Sequence, residues 1–195
     1  MAKIQPLPAA ASPSSCSSSD EHASRQTYTV WMKSLVFNGN GCTVYTADGG
    51  VAFRVDNYGC RGGREVFFMD RAGNTLIRIR RKGFGMFRRW EVCHVAGEEE
   101  EATPWFIVRR AEKSGAAVTM HGGAGECFRV DGCCARKSDY RVISGGAVVA
   151  EVARKQTAAG VVLGEDVHTL TVEPEVDHLL VLGLVVVCGL MNRSL

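Results

Sequence analysis

Leu179-Leu-Val-Leu-Gly-Leu-Val-Val-Val-Cys-Gly-Leu-Met191 is a run of thirteen residues without a charged side chain. Glu175 and Asp177 stand before it and Arg193 after it. As a helix it is about 20 Å long at 1.5 Å per residue, short of a hydrocarbon core of about 30 Å. A helix that is apolar on every side has to be surrounded. If lipid is too thick to do this, the protein's own chain must. The stretch therefore predicts a hollow, apolar fold with one helix inserted, whose buried side chains include Leu179, Leu180, Leu182, Leu184, Val185, Val186 and Leu190. Val185-Val-Val alone reads as strand, but thirteen apolar residues exceed the usual strand length. Pro174 is placed where a helix start tolerates proline, and Glu175 and Asp177 are expected in the first turn, at the positive end of the helix dipole.

Upstream, the hydrophobic period is two. Thr27 to Ser34, Cys42 to Thr46, Val51 to Asp56, Glu65 to Met69 and Thr75 to Arg80 are rich in β-branched and aromatic residues. Asp48-Gly-Gly and Asp70-Arg-Ala-Gly-Asn punctuate them as hairpin turns do. Met86 to Val95, Trp105 to Arg110, Ala116 to Met120, Cys127 to Asp131, Tyr140 to Ser144, Ala147 to Ala153 and Val167 to Val172 continue the pattern. About twelve strands with no helical period until the end predict an all-β sandwich or barrel. No repeat of fixed period argues for a propeller.

The chain of 195 residues is long enough for one domain with a sizeable core. Its net charge of +2 gives no bulk attraction to nucleic acid or anionic lipid, so such binding needs a local patch. Residues 1–26 are rich in Ser, Pro and Ala and read as a disordered tail, leaving 27–195 as the folded domain. The segment has neither the apolar stretch of a secretory signal nor the arginines of a transit peptide. A cytoplasmic protein is expected, peripheral at a membrane or nuclear, with no transmembrane span. In that reducing setting the eight cysteines, which form no Cys-x-x-Cys, read as structural thiols.

Several stretches together resemble the LURP-one-related proteins of plants. They are Val30-Trp-Met-Lys-Ser-Leu-Val-Phe-Asn-Gly-Asn-Gly-Cys42, Phe53-Arg-Val-Asp-Asn-Tyr58, Phe68-Met-Asp-Arg-Ala-Gly-Asn-Thr-Leu76 and Ile79-Arg-Arg-Lys-Gly-Phe-Gly-Met-Phe-Arg-Arg-Trp-Glu91. Pro104-Trp-Phe-Ile-Val-Arg109 and the close from Asp177-His to Met191-Asn-Arg add to them. The resemblance implies the fold shared by Tubby C-terminal domains and phospholipid scramblases, a closed twelve-stranded antiparallel β-barrel with a hydrophobic C-terminal helix through its centre. It also implies a link to plant defence and a relation to membrane-tethered regulators. Scramblases carry an acidic segment before that helix. Here only Asp166 and Asp177 fall in the corresponding places, too few oxygens for calcium's six to eight ligands, so no metal is expected.

Five scattered histidines, with no Gly-x-Ser-x-Gly and no His-x-x-x-His, give no catalytic constellation. Gly83-Phe-Gly and Gly122-Gly-Ala-Gly lack the Gly-Lys-Thr/Ser ending of a phosphate loop and read as turns. The chain is expected to be non-catalytic and to need no cofactor. The patch that invites a function is Arg78-Ile-Arg-Arg-Lys-Gly-Phe-Gly-Met-Phe-Arg-Arg-Trp90. Arg78, Arg80 and Lys82 share one strand face, with Leu76, Ile77 and Ile79 supplying the core side. Arg81, Arg88 and Arg89 complete the candidate set. Guanidinium forks suit phosphate oxygens and interleaved aromatics suit a membrane interface, so anionic phospholipid headgroups are the functional reading. The commoner explanation is that these charges merely solvate a barrel exterior, with Glu98 to Glu101 close enough to neutralise part of them. Nucleic acid is the weakest reading. A protein-interaction scaffold without lipid binding is the alternative function.

Overall fold

A computed structural model of the chain describes residues 24–32, 41–56, 65–84, 88–95, 103–111, 115–123, 126–134 and 139–192. The proposed tail, apart from its last three residues, lies outside this set. So do Phe87, Glu98–Glu101 and Arg193.

Twelve strands are followed by one helix. They are β1 (Gln26–Trp31), β2 (Gly41–Tyr45), β3 (Val51–Asp56), β4 (Glu65–Asp70), β5 (Thr75–Lys82) and β6 (Arg89–His94). The second half comprises β7 (Phe106–Arg110), β8 (Ala116–Met120), β9 (Glu126–Asp131), β10 (Tyr140–Ser144), β11 (Ala147–Arg154) and β12 (Val167–Val172), and then α1 (His178–Asn192). Each strand pairs antiparallel with the next in sequence, and β1 pairs with β12 from Gln26–Val172 to Trp31–Val167. The ring is closed, which leaves no unpaired strand edge.

Alternation then decides what fills it. Val30, Val44, Val55, Phe68, Ile77, Ile79, Val92, Phe106, Val108, Val118 and Leu170 are buried, while their sequence neighbours turn away from the core. Leu76 is only half buried, but it packs against the core beside Ile77 at a point where a bulge interrupts the β4–β5 ladder.

The helix occupies the middle. Leu180 through Gly189 are all buried, and Leu179 and Leu190 are partly buried against the same core. Three consecutive valines make a poor isolated helix, but burial on every side outweighs propensity. Gly183 shows how tight the fit is. A Cβ there would sit 3.1 Å from Ile77 Cδ1 and 3.3 Å from Phe106 Cζ.

The first turn differs from expectation. The helix begins at His178, so neither acidic residue is inside it. Asp177 is instead its N-cap: Oδ1 accepts from the Leu180 backbone N–H at 3.1 Å, and the Asp177 carbonyl accepts from Val181. Tyr28 Oη and His178 Nδ1, 2.8 Å apart, fix this end against β1. At the other end Asn192 Nδ2 donates to the Cys133 carbonyl. Cys188 hydrogen-bonds Cys133 nearby, which lowers the Cys133 thiol's pKa against the opposing effect of burial.

The two rims are thus defined by the helix. One, at its start, carries the turns after β2, β4, β6, β8 and β10. The other, at its end, carries the turns after β1, β3, β5, β7, β9 and β11.

Candidate functional site

Of the six cations singled out in the sequence, Arg81, Lys82, Arg88 and Arg89 stand at the rim where the helix ends, while Arg78 and Arg80 lie farther along the wall, opposite Cys93 and Glu91, and the six do not form one open surface. Alternation along β5 sends Arg78, Arg80 and Lys82 outward, and the ladder to β6 sets Arg80 opposite Glu91 and Lys82 opposite Arg89. Glu91 is buried and accepts from two guanidinium groups, Arg80 Nε at 3.2 Å and Arg89 Nε at 3.0 Å. Arg78 Nε lies 3.5 Å from Glu65 on β4. With side chains only 20% and 21% exposed, Arg78 and Arg80 are engaged in holding the wall together. Arg81 has the inward parity, opposite Trp90, and is half buried. Arg88 is exposed at the foot of β6.

What remains for a ligand is a row that sequence reading only half found. The β6–β7 ladder places Arg109 opposite Arg89, so Lys82, Arg89 and Arg109 are lateral neighbours on three adjacent strands. Lys82 and Arg109 are exposed, and among the described residues no carboxylate is paired with either. Like charges directly opposite one another oppose strand pairing. Their company is informative for that reason: it concentrates positive potential where an anion would relieve it. The signal for Arg109 was present, since Arg109-Arg110 closes a strand, but it needed the register of two hairpins to connect it with Arg89.

Glu98–Glu101, expected to neutralise part of the patch, lie outside the described residues. The described residues at the rim where the helix starts include Asp48, Asp70, Glu173, Glu175 and Asp177 with Arg25 and Arg71, and the rim of the cations also carries Asp131, Asp139, Glu165 and Asp166.

The acidic pair Asp166 and Asp177 is likewise divided, with β12 between the two. Asp166 Oδ2 accepts from Trp31 Nε1 at 2.8 Å, and Asp177 caps the helix. His94 and His168 stand on opposite rims as well. His94 stacks on Trp105 with ring centroids 4.1 Å apart, while His168 is buried beside Val30 at the other rim. Burial depresses the His168 pKa, partly offset by the Asp139 charge. Among the described residues no cluster of three metal-binding side chains forms. No described helix is long and apolar enough to cross a membrane.

Comparison with known proteins places these features. The model of the LURP-one-related family matches residues 26–189. The chain is 36% identical over 185 residues to Protein LURP-one-related 11 of Arabidopsis thaliana, covering 86% of this chain and 78% of that one. It is 39% identical over 175 residues to Protein LURP-one-related 4 of the same plant, covering 86% and 79%. A crystal structure of an Arabidopsis thaliana protein superposes with a TM-score of 0.65 at 20% identity, over 87% of this chain and 92% of that one, and shares the fold.

Proposed function

The chain belongs to the LURP-one-related family, and from that footing we propose that it is a non-enzymatic regulatory module of plant defence that docks on anionic phospholipid headgroups. The observation that carries the reading is the lateral row Lys82–Arg89–Arg109 on three adjacent strands. Such a row turns this end of the barrel toward an anionic surface, and each cation near that surface contributes about 1 kcal/mol. The non-catalytic part rests on the filled interior: the space an enzyme of this shape would use as a pocket is occupied by Leu180 to Gly189.

Co-sedimentation with phosphoinositide-containing vesicles tests the docking. The wild-type chain is expected to bind at low salt and to be released at high salt, because exposed charges are screened. Lys82→Gln, Arg89→Gln and Arg109→Gln combined should weaken binding about a hundredfold, the loss of about 3 kcal/mol. Unchanged binding by that triple variant eliminates the row as the site. No binding by the wild type eliminates lipid docking and leaves the protein-interaction scaffold.

A further inference from the structure

The connection between β11 and β12 is a hairpin that stands beyond the barrel wall. Lys155 N–H donates to the Val167 carbonyl, and Asp166 is still held to β1, its carbonyl accepting from Met32 N–H at 2.8 Å. Beyond these rungs the hairpin pairs with itself, at Gln156–Val162 and through Leu163 N–H to the Lys155 carbonyl at 2.9 Å. The tip is Thr157-Ala-Ala-Gly-Val-Val-Leu-Gly164, eight residues without a charge, every one of them exposed. Val161 is 61% exposed and Val162 48%.

Exposed aliphatic residues at a loop tip usually bring unpaired backbone groups with them, but here the tip satisfies much of its own polarity. Thr157 N–H donates to the Val161 carbonyl, Gly160 N–H to the Thr157 carbonyl, and Val161 N–H to the Thr157 hydroxyl. The one polar side chain of the tip is thereby engaged, and Gly160, at φ 78°, turns the chain without a side chain to strain it. A hairpin whose polar groups are paired internally enters an apolar medium at little cost.

Its position gives the medium a shape. The β5–β6 turn, which carries Phe84 at 92% exposure, lies half the twelve-strand ring away on the same rim. Of six large hydrophobic side chains exposed among the described residues, four are on these two tips. The row Lys82–Arg89–Arg109 lies on the same rim, beside the Phe84 turn. Two apolar points half a ring apart, with cations beside one of them, suit a flat partner that is apolar beneath an anionic skin. A stable protein interface needs about 800 Å² of continuous surface per partner, which two separated tips do not supply.

We infer that the 157–164 hairpin and Phe84 insert into the interfacial layer of an anionic bilayer and seat the barrel end-on upon it. The inference rests on the headgroup reading above and adds the geometry of contact. The test uses the full chain with vesicles of phosphatidylcholine, phosphatidylserine and phosphoinositide. Val161→Asp/Val162→Asp should retain the wild-type melting temperature, since both sites are exposed, and bind about tenfold more weakly or worse. Val162→Trp should be quenched by brominated lipid well beyond the level of wild-type Trp31, Trp90 and Trp105.

If the aspartate variant binds like wild type while Lys82→Gln/Arg109→Gln does not, the hairpin proposal alone fails. If the wild type ignores vesicles, both readings fail. A dimer in solution that Val162→Asp dissolves, without vesicle binding, assigns the tip to a second copy of the chain and overturns insertion.

Discussion

Glu91 is the residue on which the two roles of the cationic strands meet. Its carboxylate is buried and serves Arg80 and Arg89 at once, so Glu91→Ala leaves two partly covered guanidinium groups without their anion. Because both remain in contact with solvent, the expected loss is about 1–3 kcal/mol, read as a lowered melting temperature. The same change frees Arg80 and should tighten vesicle binding, so stability and affinity move in opposite directions. A parallel fall in both would mean that Glu91 orders the site as well as restraining it. His168 offers a pH test. Its folded pKa is depressed by burial, so the unfolded chain takes up the proton first as pH falls. Stability should therefore be constant above about pH 6.5 and decline below it, and His168→Gln should flatten the decline in thermal melts from pH 7 to 5. Side chains of this kind were the least legible part of the sequence. Composition marked Arg78, Arg80, Arg81, Lys82, Arg88 and Arg89 as a cluster, but which of them are tied down depends on Glu65 and Glu91 across the ladder. Arg109, about twenty residues beyond Arg89 in the sequence, becomes its neighbour only through register.

At the scale of the element the helix was legible because its argument needs only length and polarity. Thirteen apolar residues are too few for a bilayer and too many for a strand, and every one from Leu180 to Gly189 is buried. The helix start was read too early because Glu175, Val176 and Asp177 all lie within one turn of it, and only backbone geometry says which faces the free N–H groups. Leu182→Asp should abolish soluble expression: an unpaired carboxylate at that depth costs several kcal/mol against a total of about 5–15. Gly183→Leu is the steric counterpart. Ile77 and Phe106 leave no room there, and a loss of about 2–3 kcal/mol in urea unfolding is expected despite leucine's better helix propensity. The strands were equally plain from their period of two, whereas closure of the ring was legible only through the family resemblance, since nothing in the local pattern of β1 names β12 as its partner.

For the whole molecule, ring and helix depend on each other. Removing either exposes the apolar lining of the other, so partly folded states are unfavourable. Unfolding in urea is expected to be a single transition, with fluorescence from Trp31, Trp90 and Trp105 coinciding with far-ultraviolet circular dichroism. Two separated midpoints would mean that part of the wall survives alone. The pairing of β1 with β12 spans nearly the entire domain, a non-local contact that slows refolding to the range of milliseconds to seconds or beyond. The order of elements carries this into the cell. A ribosome makes the wall of the cylinder first and the plug that fits it last, so during translation eleven staves wait, inner faces wet, for the twelfth and for the piece that fills them. Every newborn copy passes through that interval, and a cell short of chaperones should lose this protein to aggregation before it loses proteins whose cores assemble as they emerge.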